Sequence, residues 1–147
     1  MNESARPSSS SLDFWGIVLA IFGAGNLANA LWMLAAPGHW YENLPAGVPH
    51  FGPLNEHFVR DIGCIFFLLG VVLVASIWKR ELRVPAMVAA AAYSAAHALV
   101  HVYDQARGLF SPEHLSVDIG PVYVSTLLLV VLAWKLWRDE RYASPRS

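Results

Sequence analysis

A chain of 147 residues that is 56% hydrophobic and only 14% charged carries more apolar surface than a water-soluble domain of that size can bury. Its formal net charge of -1 gives no bulk attraction to nucleic-acid phosphates. Its one cysteine, Cys64, excludes an internal disulfide. The composition points to a chain whose main solvent is a lipid bilayer.

The leader up to residue 13 carries Arg6 against Glu3 and Asp13 around a serine run, which predicts a disordered tail. The first apolar segment follows at 14–36. Ala28-Asn29-Ala30 has the small-residue look of a signal-peptide cleavage site, but the n-region is not basic and the apolar run continues past it, so a retained helix is expected. Within it, Asn26 and Asn29 are expected to hydrogen-bond across helices. Gly23, Gly25, Ala28 and Ala30 are small enough to let a neighbouring helix come close.

Pro37 and Gly38 are expected to stop this helix. The loop that follows contains Pro37, Pro45, Pro49 and Pro53, and four fixed φ angles make it a stiff lid rather than a floppy tether. Further apolar segments run over 58–78, 84–103 and 119–137. Each of the four segments is long enough to cross about 30 Å of hydrocarbon at about 1.5 Å per residue. In hydrocarbon each backbone amide needs a partner in its own segment, so helices are expected. Pro85 suits the first turn of the third, and Ser111-Pro112-Glu113 reads as a short helical start before the fourth. The fold class expected is an all-α membrane protein, a four-transmembrane-helix up-down bundle with a C-terminal tail over 138–147.

Arg6, Lys79, Arg80, Arg83, Lys135, Arg138, Arg141 and Arg146 all fall on one side of that topology, against Arg60 and Arg107 on the other. The positive-inside rule then places both termini in the cytoplasm. Trp15, Trp40, Tyr41, Trp78, Tyr103, Trp134 and Trp137 fall near the segment ends, where amphipathic rings favour the headgroup layer.

The outer side holds all six histidines. His57 and Asp61 open the second segment four residues apart, while His97, His101 and Asp104 close the third at spacings of four and three, so each set forms one helical stripe. In an up-down bundle the two stripes come to the same face. Glu56, Arg60, Asp118 and His114 emerge there as well, with His39 and His50 in the loop. His97 lies about 10 Å along the helix axis from Asp104, inside the apolar layer. An ionisable residue at mid-helix costs roughly 2.5 to 3.5 kcal/mol by insertion scales and usually faces a polar interior.

Imidazole pairs with carboxylates suit a transition metal, Zn, Fe or Cu(II), or a b-type haem. His57, Asp61, His97, His101 and Asp104 are the ligand candidates. Arg60, Glu56, Asp118 and His114 would form a second shell or proton route. The same side chains suit proton exchange with a quinone-like or other hydrophobic molecule arriving from the bilayer. They equally suit a purely structural network in an accessory or assembly subunit of a larger membrane complex. Whether the protein is an enzyme, and whether it forms a homo-oligomer, is left open at this level.

The run Val59-Arg60-Asp61-Ile62-Gly63-Cys64-Ile65-Phe66-Phe67-Leu68-Leu69-Gly70, in a four-span chain of this length, resembles the arginine-then-glycine helix of the DoxX-like bacterial membrane proteins. That resemblance implies a small protein of the bacterial inner membrane, with the histidine-rich face periplasmic, in a redox or accessory role linked to quinones. The stripe of His97, His101 and Asp104 departs from that family's pattern.

Overall fold

The computed structural model describes residues 12–109 and 114–143, with the side chains of His114 and Ala143 outside the description. The expected tail before residue 12, the turn at Ser111-Pro112-Glu113 and the chain beyond 143 lie outside the described residues. Helix α1 spans Phe14–Ala35, α2 Pro37–Asn43, α3 Glu56–Trp78, α4 Arg83–Ala106, α5 His114–Asp118 and α6 Ser125–Ala143. Four helical stretches are long and apolar enough to cross a membrane, as expected of a multi-pass membrane protein.

Several boundaries differ from the sequence expectation. Pro37 ends α1 but starts α2 at its first turn, because a proline there forfeits only an N–H that would have had no intrahelical partner. The proline-rich loop is therefore partly helical, with a further 3-10 turn at Val48–Phe51. Helix α3 begins at Glu56 because the Asn55 side chain accepts from the Phe58 amide at 3.1 Å. Helix α4 runs on to Ala106, and α6 continues to Ala143 through what was expected to be a tail.

The helices pack in the order α1, α3, α4, α6. The most extensive contact is between α1 and α3, followed by α4 with α6, and α3 meets α4 more sparingly. Glycines explain the first contact. A Cβ on Gly23 would sit 2.7 Å from a Val74 methyl and 3.2 Å from its backbone nitrogen, and one on Gly70 would sit 2.7 Å from Leu27. Only bare Cα atoms allow backbones this close. The pairings 23 with 74, 27 with 70, and 34 with 63 run antiparallel. Ser94 and Thr126 hydroxyls, 2.7 Å apart, join α4 to α6.

All four long helices converge at one end, where Leu19, Leu73, Met87 and Leu136 are fully buried with Ala86, Ala90, Ala91 and Ala133. Arg83 locks that end. Its side chain is buried, donating to Asp13 at 2.7 Å and to the Ser76 and Ile77 carbonyls at 3.3 and 3.2 Å. One guanidinium thus satisfies the last turn of α3 and anchors the N-cap of α1, whose Asp13 also accepts from the Gly16 amide. Elsewhere the long helices expose large apolar side chains, among them Ile21, Leu68, Leu99 and Leu127. That is unfavourable in water and costs nothing in hydrocarbon.

Candidate functional site

Pro121 shapes the site from the fourth long helical stretch. It cannot donate a backbone hydrogen bond, and the helix widens into a π-type stretch over Ile119–Val124, where the Ser125 hydroxyl donates to the Pro121 carbonyl. The stretch follows directly on Asp118, which is 2% exposed and turned onto α4. There the Asp118 Oδ2 lies 2.8 Å from His101 Nδ1, with His101 itself buried.

This contact fixes the imidazole. With Asp118 ionised, Nδ1 carries the proton, and Nε2 becomes the nitrogen with a free lone pair. His97 stands one turn deeper, its ring centroid 4.6 Å from that of His101 in an edge-to-face arrangement. Beyond it Tyr93 stacks parallel to His97 at 6.3 Å, and Phe66 of α3 meets Tyr93 at 5.5 Å. Phe51, from the 3-10 turn in the loop between α2 and α3, lies edge-on to His101 at 5.2 Å. The result is a carboxylate-oriented imidazole, a second imidazole beside it, and an aromatic surround.

The expected ligand set is only partly brought together. His97 and His101 meet, whereas His57 and Asp61 pair with each other at 3.4 Å with side chains 88% and 60% exposed. The two stripes do not join: Ala86 and Ala90 are buried on α4, whereas His97 is exposed on the same helix and His57 and Asp61 are exposed at the start of α3. Asp104 is half-buried, and its carboxylate pairs with neither histidine. Among the described residues no group of three or more His, Cys, Asp or Glu side chains is arranged to hold a metal ion. Asp118, expected in a second shell or proton route, lies directly against the ligand candidate His101.

The remaining polar residues have local duties. Arg60 pairs with Glu56 at 3.1 Å and donates to the Leu34 carbonyl at the end of α1. His39 Nδ1 accepts from the Trp32 indole at 3.0 Å, and His50 is exposed on the loop between α2 and α3. Asn29 does link helices, accepting from the Trp40 indole of α2 at 2.9 Å. Asn26 corrects its expectation: it donates to the Phe22 carbonyl of its own helix at 2.8 Å, the nearest acceptor one turn back. The side chain of His114 lies outside the described residues.

Phe51 is the component that spacing could not identify. The only signal was its place between Gly47 and Gly52 in a loop otherwise stiffened by prolines. Comparison with models of protein families, with curated proteins and with solved structures gives no match for this chain.

Proposed function

We propose that this protein crosses a membrane four times as an up-down bundle with both termini cytoplasmic, and that His101 and His97 bind a redox-active or Lewis-acidic metal at the opposite face, as an ion or as haem iron. The observation that carries the reading is the 2.8 Å contact between His101 Nδ1 and the buried Asp118. Metal-ligating histidines generally make this contact through their other nitrogen, which fixes the tautomer and raises ligand basicity. Two imidazole nitrogens leave coordination positions open, as sites for chemistry do and closed structural sites do not. Zinc, iron and copper(II) all accept such donors.

A second reading is favoured by one observation, that among the described residues two histidines converge and no third metal ligand joins them. The same pair would then hydrogen-bond, and exchange protons with, the polar head of a quinone-like molecule, Asp118 stabilising the imidazolium that forms.

Metal analysis and a visible absorption spectrum of one detergent-purified sample test the first reading. Near-stoichiometric Zn, Fe or Cu, or a Soret band, lost in a His97→Ala/His101→Ala double variant that still folds, supports it. A colourless protein that binds none of these metals and no haem rejects it. A quinone-dependent perturbation of the histidine signals in that metal-free protein would then favour the second reading. Its absence would favour an accessory subunit in which Asp118 and His101 merely join helices.

A further inference from the structure

The rings around His101 define two different sides. Toward the outer loop the site is roofed by Phe51. The turn that carries it, Val48–Phe51, is bracketed by Gly47 at φ 63 and Gly52 at φ 130. Both angles are in the region that glycine adopts without steric cost, so the turn is set between two pivots. Gly52 is also tied down, since the Tyr41 hydroxyl of α2 donates to its carbonyl at 2.7 Å. Pivots on both sides, a latch at one of them and an aromatic ring over the buried imidazole make a closed lid.

Toward the side of the bundle the site is not roofed. Along one flank of α4, Ala86 and Ala90 are buried, Tyr93 is half-buried, and His97, two turns beyond Ala90, is exposed. The neighbouring flank stays covered, with Ser94 bonded to Thr126, Ala98 buried and His101 on Asp118. So at the level of His97 the covered part of α4 is the flank that carries His101. The exposed His97, next to Tyr93 and the Phe66–Tyr93 contact that joins α3 to α4, leaves an opening on the side of the helix. Ala96 and Val100 beside His97 are exposed and apolar. In a bilayer that opening faces acyl chains. His97 makes no hydrogen bond among the described residues, so its polar nitrogens face hydrocarbon unless a ligand meets them, and a bare polar group there is costly.

We infer that the His97–His101 site is filled sideways from the bilayer by a lipophilic molecule, one bearing a centre that imidazole can ligate or hydrogen-bond, and that Phe51 is a lid keeping water and hydrated ions out. The inference rests on the four helices being spans and on the pair being a ligand site, and it narrows that reading to membrane-dissolved ligands such as a haem or a quinone-like head. A hydrated metal ion would need Phe51 to move.

The test uses the full chain labelled with nitrogen-15 at histidine, in lipid nanodiscs, with the imidazole signals assigned from His97→Gln and His101→Gln. Relaxation is measured with a doxyl-labelled phosphatidylcholine and, separately, with a water-soluble gadolinium chelate. His57, 88% exposed in its side chain, is the internal reference for full contact with water. The doxyl lipid is expected to relax His97 and the chelate to leave His101 at a small fraction of the His57 effect. Phe51→Ala should raise the chelate effect on His101 several-fold, and the milder Tyr41→Phe should raise it less, with His57 unchanged as a check on the fold. The inference is overturned by strong chelate relaxation of His101 in the native protein, by no lipid effect on His97, or by lid variants that leave His101 as protected as before. Metal content measured on the same preparation decides the ligand reading separately, so a wrong access route and an absent metal cannot be confused.

Discussion

Asp118 and His101 come from different helices, seventeen residues apart in sequence, yet their side chains meet at 2.8 Å in a place where both are nearly inaccessible. A charged acceptor in such surroundings makes a strong hydrogen bond, and removing it leaves a buried donor without its partner. Asp118→Leu is therefore expected to lower stability by about 1.5 to 3 kcal/mol, and Asp118→Asn by less, because an amide oxygen still accepts. Thermal unfolding in detergent measures both. If His101 ligates a metal, Asp118→Asn should also weaken metal binding by roughly 10 to 100-fold, as loss of a partner behind a ligating histidine commonly does. Unchanged affinity with lowered stability would mark the pair as structural only.

The Asp13–Arg83 lock gives a pH prediction. The Arg83 guanidinium hydrogen-bonded to Asp13 holds its carboxyl below the usual carboxylate range, helped by the Gly16 amide and by Arg80 and opposed by partial burial. A carboxyl lowered in the folded state contributes stability at neutral pH. That contribution is complete above the unfolded value, about 3.9, and disappears as pH falls through the lower folded value. Asp13→Asn should cost about 1 to 2 kcal/mol at pH 7, less than a fully buried pair because Asp13 is 38% exposed. The difference between native and variant melting temperatures should shrink in acid below about pH 4. A difference constant with pH would exclude the ion pair as its source.

The α1–α3 seam separates two kinds of glycine. At Gly70 an added Cβ would meet Leu27 side-chain and backbone atoms within 3.0 Å, so Gly70→Ala must push the helices apart. A loss of about 1 to 3 kcal/mol is expected, the usual range for overpacking. At Gly25 nothing lies within 4 Å of the same atom, and Gly25→Ala should be neutral or stabilising by up to about 1 kcal/mol, since alanine is the better helix former. Equal effects at the two positions would contradict the close approach of these helices.

The Ser94–Thr126 pair joins the middle of α4 to the first turn of α6. Thr126→Val keeps the shape and removes the hydroxyl. Interhelical hydrogen bonds of this kind average about 0.6 kcal/mol in membranes, so a small drop in melting temperature is expected, with His101 and Asp118 unaffected.

Orientation is open to direct measurement. Reporter fusions at the C-terminus should read as cytoplasmic, and a reporter in the loop between α1 and α3 as external, because Lys79, Arg80, Arg83, Lys135, Arg138 and Arg141 gather at the opposite end. Neutralising the Lys79 to Arg83 turn should weaken that preference.

The amino-acid sequence by itself determined the four apolar helices, their approximate limits and the one-sided distribution of histidine, because segment length, hydropathy and charge are local quantities that the bilayer reads directly. The His97–His101 spacing was legible for the same reason, since four residues make one turn of any α-helix. Only the tertiary structure decided which carboxylate His101 would meet. Asp61, Asp104 and Asp118 all fall at that face by position, and the one that meets His101 is Asp118, immediately before the wide turn at Ile119–Val124, while Asp61 pairs with His57. Packing likewise left His57 with Asp61 rather than beside His97, left His97 exposed, and placed Phe51, a residue with no chemistry of its own, above the buried imidazole. Which side chains meet across helices is the sum of many contacts along a seam, and no periodicity within one segment encodes it.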